Sequence, residues 1–240
     1  MLKKIFSRFK KDPSGFMKRA LYTFLIEPVK YIRWNDYDAQ KYWRDRFSKY
    51  GLSLKGSGDQ RLSEQENKIM YAEAAKAFTA LCQKVTIDFR SASVLEIGCG
   101  TGFYTQLLHN FGVKNYIGVD ITDVIFTELK KRFPGFRFIK KDITSDKIKG
   151  KFDLIVMIDV IEHIVKEDKL SSSMENVKNS LSENGIFILG PIQNTSKRQH
   201  FHVRYWSLED IAPKFPGYVF GELMPFPGGY ILIIKKDRFN

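Results

Sequence analysis

Short apolar runs punctuate this chain, and between many of them lie stretches with helical spacing. Residues 94–97, 116–119, 136–140, 152–157 and 186–190 each hold four to six mostly apolar positions and read as strands. Helical spacing follows several of them, over 103–111 and around 167–181, so the strands are expected to lie parallel with helices packed on the sheet. Two further strands, 218–223 and 230–235, are separated by Pro225-Phe226-Pro227-Gly228-Gly229 and read as a terminal antiparallel hairpin. Asn184-Gly185 reads as the turn before the fifth strand.

The pattern upstream of residue 90 is different. Residues 2–11 place Leu2, Ile5, Phe6 and Phe9 on one helical face among Lys3, Lys4, Arg8, Lys10 and Lys11. Asp12-Pro13-Ser14-Gly15 breaks that stretch, and Phe16, Met17, Ala20, Leu21, Phe24 and Leu25 form a second apolar stripe ending near Pro28. Residues 51–58, bounded by Gly51 and Gly58, read as a flexible linker. Ser63 with Glu66 has the spacing of a capping box and opens a long helix over 64–84. The chain therefore divides into a basic, aromatic-rich helical segment (1–50), a linker with a long helix (51–90) and an α/β domain (91–240).

The first strand runs into Glu96-Ile97-Gly98-Cys99-Gly100-Thr101-Gly102. Glycines at alternate positions let the backbone leave the strand sharply and lie close to a ligand, and the helix that follows offers unpaired backbone N–H groups. A side chain at Gly98, Gly100 or Gly102 is expected to occupy the ligand's space. The spacing is not the dinucleotide G-x-G-x-x-G, and the loop lacks the Lys-Ser/Thr pair of a triphosphate loop. The second strand ends in Asp120, whose carboxylate can accept hydrogen bonds from two ribose hydroxyls. The third leads to Asp142-Ile143, placed to meet an adenine. The fourth runs into Ile158-Asp159-Val160-Ile161-Glu162-His163.

This series, E-x-G-x-G-x-G, then V-D, D-I and F-D-L-I-V-x-x-D-V-I-E-H, resembles the class I S-adenosylmethionine-dependent methyltransferases over roughly residues 90–240. The resemblance implies an α/β, Rossmann-like, seven-stranded, mostly parallel sheet with a terminal antiparallel hairpin, helices on both faces and the N-terminal helical segment added. It implies S-adenosylmethionine as cofactor, held by Glu96, Gly98, Cys99, Gly100, Gly102, Asp120, Ile121, Asp142, Ile143 and Ile158. The 64–84 helix is expected to cover the cofactor, with Arg61 ahead of it reaching the cofactor's carboxylate.

Acid–base candidates gather at the strand ends: Asp159, Glu162, His163, His200 and His202. If the chain turns helical after Met157, Asp159, Glu162 and His163 share one face. That segment is similar to the E-x-x-E-H element of ubiquinone-pathway O-methyltransferases and small-RNA 2′-O-methyltransferases, where such residues hold magnesium. The first acid here is Asp, with a shorter reach, and the open alternatives are a Mg²⁺ site or a metal-free base at His163. His200 and His202, two apart in an extended loop, are expected to point to opposite sides, so that at most one enters the acceptor pocket. Trp206 is expected to pack inward, and Ser207 to cap the helix at 208–210.

The sequence carries a formal charge of +12, with 39 Lys/Arg and 27 Asp/Glu. Residues 1–50 hold thirteen of the bases and five of the acids, so the N-terminal segment carries most of the field. A basic aromatic-rich stripe suits an anionic membrane surface; packing on the catalytic domain or in a dimer is the other reading. No stretch has the length of a membrane span or the form of a signal peptide. Two cysteines, Cys82 and Cys99, make no disulfide framework, which fits a cytoplasmic location, peripheral at the inner membrane face.

The leading expectation is an O-methyltransferase acting on a small-molecule, glycan or lipid-linked acceptor. The alternatives are an RNA 2′-O-methyltransferase and a non-catalytic cofactor-binding protein. No RNA-binding module is recognisable, so nucleic acid is disfavoured as a partner.

Overall fold

A computed structural model of the chain describes residues 25–237. The amphipathic stripes of 2–11 and 16–24 lie outside the described residues. The elements in chain order are α1 (Glu27–Tyr31), β1 (Ile32–Arg33), β2 (Asp36–Tyr37), α2 (Ala39–Tyr50), α3 (Leu54–Ser57), α4 (Glu64–Lys84), β3 (Ser93–Ile97), α5 (Phe103–Asn110), β4 (Asn115–Asp120), α6 (Phe126–Arg132), β5 (Arg137–Lys140), β6 (Phe152–Ile158), α7 (Glu167–Ser180), β7 (Leu181–Ile192), β8 (Lys197–His200), β9 (Val203–Tyr205), α8 (Leu208–Ile211), β10 (Tyr218–Phe220), β11 (Met224–Phe226) and β12 (Gly229–Lys236).

The main sheet has the order β10-β12-β7-β6-β3-β4-β5, with β11 paired to β12. Strands β5, β4, β3, β6 and β7 are mutually parallel, while β12 runs antiparallel to β7 and β10 antiparallel to β12. The central strands are apolar at successive positions because both faces are covered. Val94, Leu154 and Val156 face a core shared with Phe78, Leu81, Leu108, Leu129 and Phe133. Leu95, Ile155 and Met157 face the opposite core with Leu170, Met174, Val177 and Trp206. The strand order reverses at β3, so the crevice beyond the carboxyl ends of β3, β4 and β6 is the expected ligand position for such a sheet.

The 64–84 helix forms as read. Ser63 Oγ accepts the Glu66 N–H and Glu66 accepts the Ser63 N–H, which closes the capping box. Trp206 is fully buried and donates its indole N–H to Ile164 O, and Ser207 and Asp210 form a second capping box.

Three local expectations are corrected. Asn184-Gly185 is not a turn between α7 and the fifth strand: β7 begins at Leu181 and runs through both residues, with a register irregularity against β6. The Pro225-containing connection includes β11, an extra strand on β12. Residues 51–58 are not a loose linker: α3 occupies them, Gly56 is buried, and Ser57 Oγ lies 3.0 Å from Thr101 Oγ1 in the glycine loop.

The N-terminal segment does not stand apart from the α/β domain. Tyr31, Tyr37, Tyr42 and Val165 form a small buried cluster of their own with Phe201 packed against it, and Phe47 belongs to the main core. Tyr31 and Tyr42 meet edge to face at 5.1 Å, and Tyr42 and Phe201 at 6.0 Å, the geometry aromatic quadrupoles favour. Residues 36–47 thereby form a roof over the carboxyl edge of the sheet.

Candidate active site

Two cavities meet at that edge. The first is an open cleft of about 1010 Å³ lined by Gly98, Cys99, Gly100, Asp120, Ile121, Asp142, Ile143 and Ile158, roofed by Tyr37, Trp43 and Phe47. Eight of the residues expected at the cofactor therefore converge. Asp120 is buried; its Oδ2 accepts the Gly100 N–H at 3.0 Å and its Oδ1 accepts the Thr122 N–H at 3.2 Å. Each oxygen has further lone-pair capacity for a ligand hydroxyl. Burial raises its pKa to about 6, with the hydrogen bonds from Gly100, Thr122 and Ile121 opposing. Asp142 accepts both the N–H and the hydroxyl of Thr144 through Oδ1, which fixes the carboxylate at the lip of the cleft.

Glu96, Gly102 and Arg61 are expected in this cleft and are not there. Glu96 lies beneath the loop, where its Oε2 accepts the hydroxyls of Thr105 at 2.8 Å and Tyr116 at 2.5 Å. It ties β3 to the first turn of α5 and to β4, and burial raises its pKa to about 8. Gly102 is the left-handed N-cap of α5, and a Cβ there would lie 2.6 Å from Leu129 Cδ2. Gly98 is constrained in the same way: at φ +72° its Cβ would come within 2.1 Å of Val160 Cγ2. These two glycines are required by the protein's own packing rather than by a ligand's volume. Arg61 pairs with Asp59 at 2.8 Å and lies 3.3 Å from His200 Nε2, in the neighbouring cavity.

That second cavity is lined by Tyr42, Arg46, Arg61, Glu162, His200, His202 and Tyr205, among others. It joins the cleft along a common wall, since Ser57, Tyr71, Asp159 and His163 line both. Tyr71 donates to Ser57 Oγ at 2.9 Å, and Tyr104 donates to Asp159 Oδ2 at 3.0 Å, so the wall is itself hydrogen-bonded.

The D-V-I-E-H segment does not continue as one helix. Asp159 sits at φ +58°, a left-handed position that Asp tolerates, and a 3₁₀ turn covers Ile161–His163. The shared face that would have set Asp159, Glu162 and His163 around a cation is therefore not built. Among the described residues no group of three His, Cys, Asp or Glu side chains is arranged to hold a metal ion. Asp159 is instead a partner of Tyr104, with its pKa raised to about 6 by burial. Glu162 is buried beside it, its pKa is raised well above the ordinary value by burial and by the Asp159 charge, and its Oε2 has no partner. Glu162 therefore lies at the cavity wall with one carboxyl oxygen unpartnered and its charged form disfavoured by burial.

His163 is held between Trp43, 4.8 Å away edge to face, and the His202 carbonyl, 3.0 Å from Nδ1. A carbonyl only accepts, so Nδ1 carries the proton and Nε2 carries the lone pair. Burial lowers the pKa of the ring to about 4, which keeps it neutral at pH 7.

His200 and His202 both line the second cavity, against the expectation that they diverge. His200 ends β8 and His202 lies in the two-residue turn that follows, with His200 paired to Val203, and their rings are nearly parallel at 6.0 Å. His202 Nε2 lies 3.2 Å from Tyr42 Oη, which accepts from Arg46 Nη1 at 3.2 Å. The remaining Arg46 donors go to the carbonyls of Lys55 and Gly58.

The residues missed by sequence reasoning are Tyr42, Trp43, Arg46, Ser57, Tyr71 and Tyr104. None lies in a motif. Only the density of aromatics over 31–50 marked part of them.

Residues 94–185 match the methyltransferase domain family. Over 112 residues the chain is 26% identical to nodulation protein S of Azorhizobium caulinodans, covering 46% of this chain and 54% of that protein. Over 122 residues it is 28% identical to a ribosomal protein L11 methyltransferase of Staphylococcus aureus, covering 48% of this chain and 37% of that protein. The chain thus spans about half the length of these relatives or less. A magnesium protoporphyrin IX methyltransferase from Synechocystis PCC 6803, solved with bound SAH, shares the fold with a TM-score of 0.63 at 16% identity, over 82% of this chain and 100% of that one.

Proposed function

Because the chain belongs to the class I S-adenosylmethionine-dependent methyltransferases, we propose that it methylates an oxygen of a small-molecule, glycan or lipid-linked acceptor seated in the second cavity. The observation that carries this reading is the common wall of Ser57, Tyr71, Asp159 and His163 between the two cavities. That shared wall is where a ligand in one cavity comes nearest to a ligand in the other.

The residues fit the cofactor. Asp120 and Asp142 present carboxylates at two strand ends, and Ile121 and Ile143, next to them, line the same cleft. That pairing of acceptors with apolar side chains suits the hydroxyls, amino group and flat ring of an adenosine. When bound, S-adenosylmethionine supplies a methyl group already activated by its sulfonium. The chain's task is then to bind, align and take a proton.

His163 is the proton acceptor. Its Nδ1–H is committed to the His202 carbonyl, its Nε2 carries the lone pair, and the ring is neutral at pH 7. Tyr104 holds Asp159 at the wall. Glu162, with an unpartnered Oε2 at the cavity wall, is placed to hydrogen-bond and orient the acceptor. Trp43 and Phe47 line the cleft from above and narrow the access of water to it.

No helix among the described residues is long and apolar enough to cross a membrane. The basic stripe of residues 1–24 supports a peripheral position at an anionic membrane face. The test of the transfer reading is labelled-methyl transfer to a panel of hydroxylated acceptors, with His163→Gln beside the parent. Transfer by the parent that the variant lacks supports it, and equal transfer by both removes His163 from the chemistry.

A further inference from the structure

The described chain begins in a ridge that is apolar on the outside. Leu25, Ile26, Val29, Ile32 and Trp34 are exposed, Val29 to 83% and Trp34 to 99%. The inward face of the same segment is buried through Glu27 and Tyr31. Trp34 sits at the tip of the β1–β2 hairpin at φ +56°, a left-handed conformation that a bulky side chain rarely adopts. The two-residue hairpin turn imposes that conformation, and the large indole at its tip is left open to a partner.

Charge says what covers the ridge. Lys30, Arg33 and Arg44 lie in the same region with exposed side chains, but each is paired with a carboxylate, Lys30 and Arg44 with Asp45 and Arg33 with Asp38, so the excess of positive charge comes from the segment before the ridge. Residues 1–24, which lead directly into Leu25, hold seven Lys/Arg and a single acid, Asp12. An apolar ridge with a terminal tryptophan beside a strongly basic run is the composition that seats at the interface of an anionic bilayer.

We propose that Leu25, Ile26, Val29, Ile32 and Trp34 form the membrane-contact surface of this protein, with Trp34 seated among the headgroups of an anionic lipid bilayer. This rests on the peripheral-membrane reading above and not on the transfer chemistry. The contact lies close to the site. Trp34 is two residues from Asp36 and three from Tyr37, which line the cofactor cleft, and Tyr37 Oη donates to the His163 carbonyl at 2.9 Å. Glu27, on the inward face of the same segment, lines the second cavity, so the proposed contact surface lies beside the proposed acceptor site as well.

The full chain tests this directly, because the other two tryptophans, Trp43 and Trp206, are half-buried and fully buried. Emission and co-sedimentation are measured with vesicles of equal parts phosphatidylserine and phosphatidylcholine, and with phosphatidylcholine alone. The expected result is a blue shift and pelleting with the anionic vesicles only, both weakened by salt. Trp34→Gly, which also relieves the left-handed strain, abolishes the shift and lowers vesicle partitioning by about tenfold. Pelleting with no emission shift, unchanged in Trp34→Gly, would place the contact elsewhere and overturn the proposal. So would a failure to pellet. A blue-shifted emission without vesicles, with a dimer on size-exclusion chromatography, would assign the ridge to a second copy of the chain instead. Binding of S-adenosylhomocysteine, measured on the same samples, reports separately on the methyltransferase reading.

Discussion

His163 Nδ1 lies 3.0 Å from the carbonyl oxygen of His202, so two histidines 39 positions apart fix a single tautomer. The bond joins the end of β6 to the β8–β9 hairpin and leaves Nε2 as the acceptor at the wall between the cavities. His163→Gln is expected to lower turnover by roughly 10²–10⁴-fold, the usual range for a positioned base. Its affinity for S-adenosylhomocysteine should change by no more than about threefold if, as proposed, the ring acts on the acceptor. Single-turnover kinetics beside calorimetry separates the two. A parallel loss of cofactor affinity would instead give His163 a role in shaping the cleft.

The same ring makes a pH prediction. Its pKa is about 4 in the fold against 6.5 ordinarily. Between those values the unfolded chain binds the proton and the folded chain does not, so stability is full above pH 6.5 and falls as the pH drops toward 4. The loss amounts to roughly 3 kcal/mol. Glu96 acts in the opposite sense: its pKa of about 8 in the fold, against 4.5, makes its contribution full below pH 4.5 and lost as the pH rises through 8. Denaturant melts of the parent and Glu96→Gln from pH 5 to 8 check this. The difference in midpoint should move in the variant's favour as pH rises, and a constant difference would mean that Glu96 ionises normally.

Gly98 offers a packing test. Gly98→Ala drives a Cβ into Val160 and demands a left-handed alanine, so destabilisation of about 2–4 kcal/mol is expected. Val160→Ala in the same chain removes the contacting methyl and should recover part of it, leaving about 1–2 kcal/mol for the backbone strain. Strict additivity of the two substitutions would show that the contact does not limit the loop.

That eight of the residues proposed for the cofactor would line one cleft was largely legible before the fold was known. Gly98, Gly100, Asp120 and Asp142 sit at the ends of parallel strands, and local spacing alone brings them to one edge. Glu96 was legible as important and misread in role, because its partners Thr105 and Tyr116 come from elements that only the fold brings over it. Arg61 was misread although Asp59, two residues away, was in plain view as its partner. His200 and His202 were expected to diverge because the alternation rule holds along a strand, and His202 lies in the turn that ends it. The second cavity was legible only in part: Glu162, His163, His200 and His202 were candidates and line it, but the rest of its wall was not. Tyr42, Arg46, Ser57 and Tyr71 converge on it from three helices with no common motif, and a cavity built by tertiary packing leaves no periodic trace.

Asp120 carries the central claim, that this cleft holds S-adenosylmethionine. Its carboxylate is needed in ionised form to accept ligand hydroxyls, and burial holds its pKa at about 6. Affinity should therefore weaken as the pH falls below about 6, with a proton released on binding in that range.

The most direct measurement is calorimetric titration of the full chain with S-adenosylhomocysteine at pH 7.5, beside Asp120→Asn and His163→Gln. The account predicts one ligand per chain, with Asp120→Asn weakening binding by roughly 1–3 kcal/mol, or about 5- to 150-fold, and His163→Gln leaving it nearly unchanged. No binding to the parent chain, or equal binding by Asp120→Asn, would contradict it.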